Sequence, residues 1–142
     1  MANVIPYAFR GELFSGTHDF SSGGNTFKLA LYTSTPYDTS STIYVVTNEQ
    51  SSAGGSNYTA GGNSLGTNAV VSTTAVASCD FADSEWTAAT ISVAFGALYD
   101  SSASNKLCVI LDFSGTKTCT NGTFKVSFPS PATAADAIIS MA

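Results

Sequence analysis

The stretch "TAATISVAFGALYD" (residues 87–100) decides the fold class, because its large side chains alternate with small or polar ones. Successive side chains of a β-strand point to opposite faces, so every second residue shares a face. The residues that share a face here are Ile91, Val93, Phe95, Ala97 and Tyr99. This period of two predicts a β-strand rather than an amphipathic helix.

Shorter runs with β-forming residues lie on both sides of this stretch. They are "FKLALYT" (27–33), "TIYVVT" (42–47), "KLCVILDF" (106–113) and "TFKVSF" (123–128). In the first run Phe27, Leu29 and Leu31 share one face, and the residues between them share the other. Each run is expected to form a strand.

Three further segments are less sharply defined. "NAVVSTTAVASCDFA" (68–82) predicts either one long strand or two strands with a bend. "SGTKTCTNGT" (114–123) is rich in turn residues, and its Asn121-Gly122 pair is a strong tight-turn signal. "DAIISMA" (136–142) is expected to be a last strand or a short terminal helix.

The only helix is predicted over residues 6–15. Pro6 suits the first turn of a helix, and Gly16 suits the position just after its end. The residues that recur every four positions, and so share one helix face, are Ile5, Phe9 and Leu13.

These elements predict an all-β fold with about seven or eight short strands and one short N-terminal helix. A β-sandwich, of jelly-roll or immunoglobulin-like type, fits the strand lengths and the turns between them. Long helices between the strands are missing, which argues against a βαβ fold. We expect one domain over residues 1–142, with a helical segment over 1–20 and the β-sandwich over 26–142.

Composition argues against several classes of partner. The chain has a formal net charge of −5, and its five basic residues are scattered along the sequence. Nucleic-acid binding needs clustered Lys and Arg, so no nucleic-acid partner is predicted. No signal peptide and no apolar run of membrane-spanning length is visible, so no membrane partner is predicted. We expect synthesis in a cytoplasm.

The polar stretch Thr47–Thr67 raises the question of a phosphate-binding loop. It holds five glycines but no Lys or Arg, and a strand-like segment follows it rather than a helix. Phosphate-binding loops lead into a helix N-terminus and often carry a Lys, so this function is not predicted. Instead we expect a long surface connection in which Tyr58, its one large aromatic residue, anchors on a neighbouring subunit.

Residues with catalytic or metal-binding potential are few. His18 and Asp19 are expected to close the turn after the helix. Asp80, Asp83 and Glu85 are close enough for calcium, but their spacing fits a solvated turn better. The three cysteines lack zinc-site spacing and favour buried thiols, with a Cys108–Cys119 bridge left open. We predict no catalytic residue, no cofactor and no metal.

The segments "FRGELFSGTHDF", "FKLALYTS", "TNEQ…YTAGG", "DFADSEWTAATISVAFGALYD" and "LDFSGTKTCTNGTFKVSFP" together resemble a group of small virion proteins of tailed bacteriophages. The resemblance spans nearly the whole chain, and its motifs are structural. It implies a capsid decoration (cement) protein that bridges capsomers and is located on the virion. The alternatives are a tail, baseplate or fibre-adaptor protein with a host-binding role and, third, an envelope-polymer hydrolase.

The resemblance also implies the partners, which are the major capsid protein or a tail protein, and a homotrimer. The surface that meets them is expected to include the apolar residues of the helix, the aromatic residue of the polar loop and the only tryptophan, which alternatively lies under the sandwich edge. These candidate interface residues are Phe9, Leu13, Phe14, Tyr58 and Trp86.

Overall fold

The computed structural model describes residues 2–73, 75–129 and 137–141. The elements in chain order are α1 (Tyr7–Phe14), β1 (Phe27–Tyr32), β2 (Asn63–Ser64), β3 (Ala69–Ser72), β4 (Ala77–Asp80), β5 (Ser84–Asp100), β6 (Lys106–Val126) and β7 (Ile139–Met141). All strand pairs are antiparallel, and they form a four-stranded sheet β2-β1-β5-β6 and a three-stranded sheet β3-β4-β7. The predicted all-β, β-sandwich-like class with a short N-terminal helix is confirmed.

The long pair of β5 and β6 is the main structural unit. It runs from Asp100, paired with Lys106, to Ser84, paired with Val126. The prediction that residues 114–123 form a turn is wrong, because β6 continues through them as a strand. Residues that favour turns also favour bulges, since both need an unusual backbone conformation.

The turn-forming residues of this segment lie in bulges of β6. Phe95 pairs with Asp112 and Val93 pairs with Lys117, so four residues of β6 lie opposite one residue of β5. Ser114 and Gly115, inside this bulge, have φ angles of 56° and 107°. Asn121 has a φ of 44° and lies at a second irregularity in the pairing with β5. The chain therefore kinks here without reversing.

The other two less sharply defined segments contribute strands. Strands β3 (Ala69–Ser72) and β4 (Ala77–Asp80) pair with each other, and the C-terminal segment contributes β7 beside β4. The predicted strand over residues 42–47 is wrong, because only Ile43 makes an isolated bridge, to Lys106. Tyr44 and Val45 instead turn inward and pack against the sheet.

Both faces of the four-stranded sheet are buried where β1 pairs with the end of β5, whereas one face of β5 is exposed over residues 85–92. In β1 the neighbouring residues Leu29 and Ala30 point to opposite faces, and both have no exposed surface. On the first face lie α1, with Phe9 fully buried, and the three-stranded sheet, with Ile139. On the second face lies the segment between β1 and β2, whose Tyr37 and Tyr44 pack on the sheet, whereas its Tyr58 reaches the core of the first face. On the second face, individual side chains of this irregular segment therefore cover the sheet, whereas a helix and a second sheet cover the first face.

Helix α1 begins directly after Pro6, which adopts an extended conformation at its N-cap. It ends before Gly16, which has a φ of 69° and donates its backbone N–H to the carbonyl of Leu13. Both signals were predicted from the sequence. Phe9 is buried, and Ile5 and Leu13 pack partly against the core, so the predicted helix face is confirmed.

We predict that Gly62→Ala strongly destabilises the fold. Gly62 has a φ of +72°, and a Cβ atom there would lie 1.8 Å from the carbonyl oxygen of Leu29 in β1. We expect a loss of at least about 4 kcal/mol in the free energy of unfolding, measured by urea denaturation. Gly54→Ala is the matched control, because φ is +69° there but nothing lies within 4 Å. It should cost only about 1 kcal/mol, and equal losses would contradict the steric argument.

Candidate functional site

The densest group of ionisable side chains lies where α1 meets the end of β5. The His18 ring stands between two carboxylates, with Nδ1 2.9 Å from Asp100 Oδ2 and Nε2 3.0 Å from Glu12 Oε2. Lys106, the first residue of β6, donates to the other oxygen of Glu12. We call Glu12, His18, Asp100 and Lys106 the ionic network. It joins α1, the loop after it and the β5–β6 turn.

Asp100 is fully buried, and its carboxylate is fully bonded. Asn25 donates to Oδ2 at 2.5 Å, and the backbone N–H groups of Ser102 and Ala103 donate to Oδ1 at 3.1 and 3.0 Å. Ionised carboxylates only accept hydrogen bonds, so both nitrogens of His18 donate when the ring is protonated. A buried charge is tolerated when it is paired and hydrogen-bonded in this way.

The pKa of Glu12 is lowered within this network. Burial by itself would raise the pKa of Glu12, but the hydrogen bonds from Lys106 and His18 outweigh burial. The groups are those of acid–base chemistry, yet the His18 side chain has no exposed surface. Both of its ring nitrogens already bond to carboxylates, so neither is available to take a proton from a nucleophile. The arrangement holds α1 against the sheet.

A second polar cluster holds the long connection between β1 and β2. The Glu49 carboxylate accepts from the hydroxyls of Tyr44 and Tyr58, both at 2.6 Å, and from the backbone N–H of Gly61 at 2.6 Å. The Tyr58 hydroxyl also accepts the backbone N–H of Leu31 in β1, at 3.0 Å. We call Tyr44, Glu49, Tyr58 and Gly61 the Glu49 cluster.

Neighbouring tyrosines extend the Glu49 cluster across the sheet. Tyr99 stacks on Tyr44 with ring centroids 4.6 Å apart and donates to the carbonyl of Gly61 at 2.8 Å. Burial raises the pKa of Tyr99 to about 12 and raises the pKa of Tyr58 further. These hydroxyls therefore stay protonated and act as hydrogen-bond donors.

Three of the five predicted interface residues lie in the core of the chain. Phe9, Tyr58 and Trp86 are 0%, 3% and 4% exposed. The prediction that Phe9 and Tyr58 face a partner is wrong, because their own chain already covers them, and for Trp86 the burial agrees with the alternative of a position under the sandwich edge. Tyr58 lies 6.0 Å from Trp86, centroid to centroid, and its hydroxyl bonds to β1 and Glu49. The stretch Thr47–Thr67 is accordingly held against its own chain through Tyr58 and is not a free arm that binds a neighbouring subunit.

The other two predicted interface residues remain accessible. Leu13 is partly buried against the core, whereas Phe14 is 91% exposed. They border an apolar groove of about 270 Å³ between α1 and β7, which also includes Ile5, Phe9, Arg10, Ile139, Ser140 and Met141. Of the predicted interface, this edge of α1 is therefore the part that a partner can reach.

The acidic run before β5 forms ion pairs. Lys125 lies 2.9 Å from Asp83 and 3.3 Å from Glu85. Within the described residues no three His, Cys, Asp or Glu side chains group as metal ligands. Asp19 closes the turn after α1 as predicted, by accepting the N–H of Ser21 at 2.9 Å, but His18 belongs to the ionic network instead.

The cysteines are free thiols, which the sequence favoured over a bridge. Cys108 is fully buried, and its Sγ lies 3.7 Å from the carbonyl oxygen of Lys106. Cys119 is half-buried and lies 3.2 Å from the carbonyl oxygen of Ala89. Burial raises the pKa of Cys79 to about 11 and also raises that of Cys108, so neither is an activated thiolate at neutral pH.

Sequence reasoning missed the residues that organise both clusters. Glu49 is the one charged residue in Thr47–Thr67, and Asp100 directly follows the apolar run of β5. The sequence signal for both residues was a single charged residue next to an apolar or uncharged stretch. A charge that becomes buried there needs hydrogen-bond or ion-pair partners when the chain folds.

Comparison with known proteins gives no match, whether with protein families, curated proteins or solved structures. The resemblance to phage virion proteins therefore stays a prediction. In the described part of the chain, no helix has the length and apolar character needed to span a membrane.

We predict that Tyr58→Ala destabilises the isolated chain by about 3–5 kcal/mol in urea denaturation, because it removes a buried ring. Tyr58→Phe should cost about 1–3 kcal/mol, since it leaves the Leu31 N–H without its side-chain acceptor. Tyr7→Ala is the control on a ring that is 62% exposed, and it should have little effect. An unchanged stability of Tyr58→Ala would restore the arm interpretation.

We predict a loss of stability in acid that depends on Glu12. A carboxyl whose pKa is lower in the folded than in the unfolded chain stabilises the fold above the unfolded pKa. That stabilisation is lost as pH falls below the ordinary value of 4.5 and through the folded pKa. Glu12→Gln should flatten the fall in unfolding free energy below this pH, and Lys106→Met should flatten it partly. Slopes equal to the parent's would contradict this role of the network.

Proposed function

We propose that this chain is a structural protein of a tailed-bacteriophage virion that acts as a capsid decoration (cement) protein. The observation that carries the proposal is the distribution of exposed apolar side chains. Tyr7 and Phe14 are exposed as a pair on α1, and Ile43 and Val46 as a pair on the segment before β2. Single exposed apolar residues are ordinary, but two separate pairs suit a protein that contacts more than one neighbour.

The segment that holds Ile43 and Val46 is the contact we propose for the shell. These side chains are 50% and 69% exposed, while Tyr44 and Val45 between them pack against the sheet. The inward pair fixes the backbone, so the outward pair is presented by a rigid support. Many weak contacts of this kind sum on a symmetric shell, because each bound subunit can engage several neighbours at once.

The resemblance supports the class of particle, and the major capsid protein is the partner it favours. A tail or fibre-adaptor role is the alternative outcome of the same experiment. Particles produced by the genome that encodes the chain are purified, and the copies of the chain per particle are counted by quantitative mass spectrometry. Copies on the order of hundreds support the capsid role, whereas a few to a few tens indicate the tail. Absence from the particles would overturn the virion proposal.

We predict that a double variant, Ile43→Ser with Val46→Ser, lowers occupancy on particles at least about tenfold while the unfolding temperature stays close to the parent's. The reason is that apolar side chains buried at a contact each contribute on the order of 1 kcal/mol or more. Val70→Ser is the matched control, on an exposed apolar residue of β3 (53% exposed) that we do not assign to the shell. Equal occupancy of both variants would show that this segment does not meet the shell.

A further inference from the structure

The outward face of α1 has an aromatic ring near each end, with the exposed Arg10 and Gly11 between them. Tyr7 is 62% exposed and Phe14 is 91% exposed. Gly11 lies between them, and a Cβ atom added there would meet nothing within 4 Å. Residues four and seven positions apart share one face of a helix, so these three form a single outward stripe. It is distinct from the inward stripe of Ile5, Phe9 and Leu13.

This outward stripe does not help the isolated helix. Gly is a poorer helix former than Ala, and α1 has only eight residues. A Phe ring that is exposed to water contributes no hydrophobic stabilisation to the fold. The stripe does allow a second helix to approach closely, because the distance between two packed helices depends on the side chains at their crossing point. The bare backbone at Gly11 lets another helix come near, and a ring on each side can close over it.

We propose that α1 is the contact between two copies of this chain, packed antiparallel across a two-fold axis that passes between Arg10 and Gly11. In this register Tyr7 of each copy lies against Phe14 of the other copy. The backbone of Arg10 lies opposite Gly11 of the other copy, while the Arg10 side chain stays over its own Tyr7 ring. A two-fold contact uses the same patch on both copies, so the patch must complement itself, as this stripe does.

The position of the Arg10 side chain and the shape of the surface leave room for this pairing. The Arg10 guanidinium stacks over the Tyr7 ring at 5.4 Å and bonds to the Ile5 carbonyl at 3.4 Å, which keeps it on its own helix. The apolar groove beside Phe14 is bordered by Met141, which is 57% exposed. A flexible Met side chain adapts to an incoming surface. The groove can therefore take up the edge of a ring from the second copy.

The exposed area fits a pair of modest affinity. An aromatic side chain buries roughly 150–250 Å². With Tyr7 62% and Phe14 91% exposed, the two rings offer roughly 300 Å² per copy, which is roughly 600 Å² for the pair. This area is below the roughly 1,000 Å² of a stable specific interface and within the range of weak, transient contacts. We expect a monomer–dimer equilibrium at micromolar concentrations, and not the homotrimer that the resemblance implies.

Sedimentation equilibrium of the purified chain tests this inference independently of any particle. The parent should show monomer and dimer, and Phe14→Ser should weaken the dimer at least tenfold. Gly11→Leu should weaken it similarly while the monomer stays folded by circular dichroism, because the space at Gly11 is open. Val46→Ser is the matched control, on an exposed apolar residue elsewhere (69%), and should not change the dimer. A trimer, a monomer at all concentrations, or equal effects of Phe14→Ser and Val46→Ser would overturn the proposal.

Disulfide trapping tests the register. Tyr7→Cys and Phe14→Cys chains, mixed under mild oxidation, should form a mixed disulfide dimer. Each variant alone should form at least tenfold less dimer, because the axis places identical positions far apart. The parent chain reports the background from its own three cysteines. Equal cross-linking in the mixed and single samples would rule out the antiparallel register.

Discussion

The four-stranded sheet has apolar residues on both faces, and this constraint shapes the rest of the molecule. In β1 the alternating pattern predicts one buried face, yet Ala30 and Tyr32 are as fully buried as Leu29 and Leu31. A sheet with two apolar faces needs a cover on each side. The small three-stranded sheet and α1 cover one side. No regular element of the described chain covers the other, so the connection between β1 and β2 does.

The Glu49 cluster joins that second cover to the core of the first face, because Tyr44 packs on the second face and Tyr58 on the first. A connection without regular structure brings backbone polar groups and tyrosine hydroxyls onto a buried surface, and buried polar groups need partners. Tyr32 and Tyr37 bond to each other at 2.7 Å, and Tyr32 also donates to the carbonyl of Val45. Glu49 gathers the remaining donors from Tyr44, Tyr58 and Gly61. The glycines in this connection allow the close approach to β1 that a side chain at Gly62 would block.

Charged residues also have a structural role at the edge of the larger sheet. Strand β6 is an edge strand, and an exposed edge invites pairing with other chains. Its outer part carries Lys117 and Lys125, together with bulges opposite β5. Lysines and bulges both discourage strand addition.

The sequence by itself determined the local structure: strands from the period of two, and a helix between Pro6 and Gly16. These follow from interactions between residues that are near each other in the chain. Only the tertiary structure decided that residues 114–123 bulge instead of turning, because β5 pairs with residues 117–119 and 122 and so keeps the strand running. It also decided that Tyr58 is buried and that His18 joins Glu12 to Asp100. His18 and Asp100 are 82 positions apart, and no local pattern encodes a contact whose energy exists only when distant segments meet.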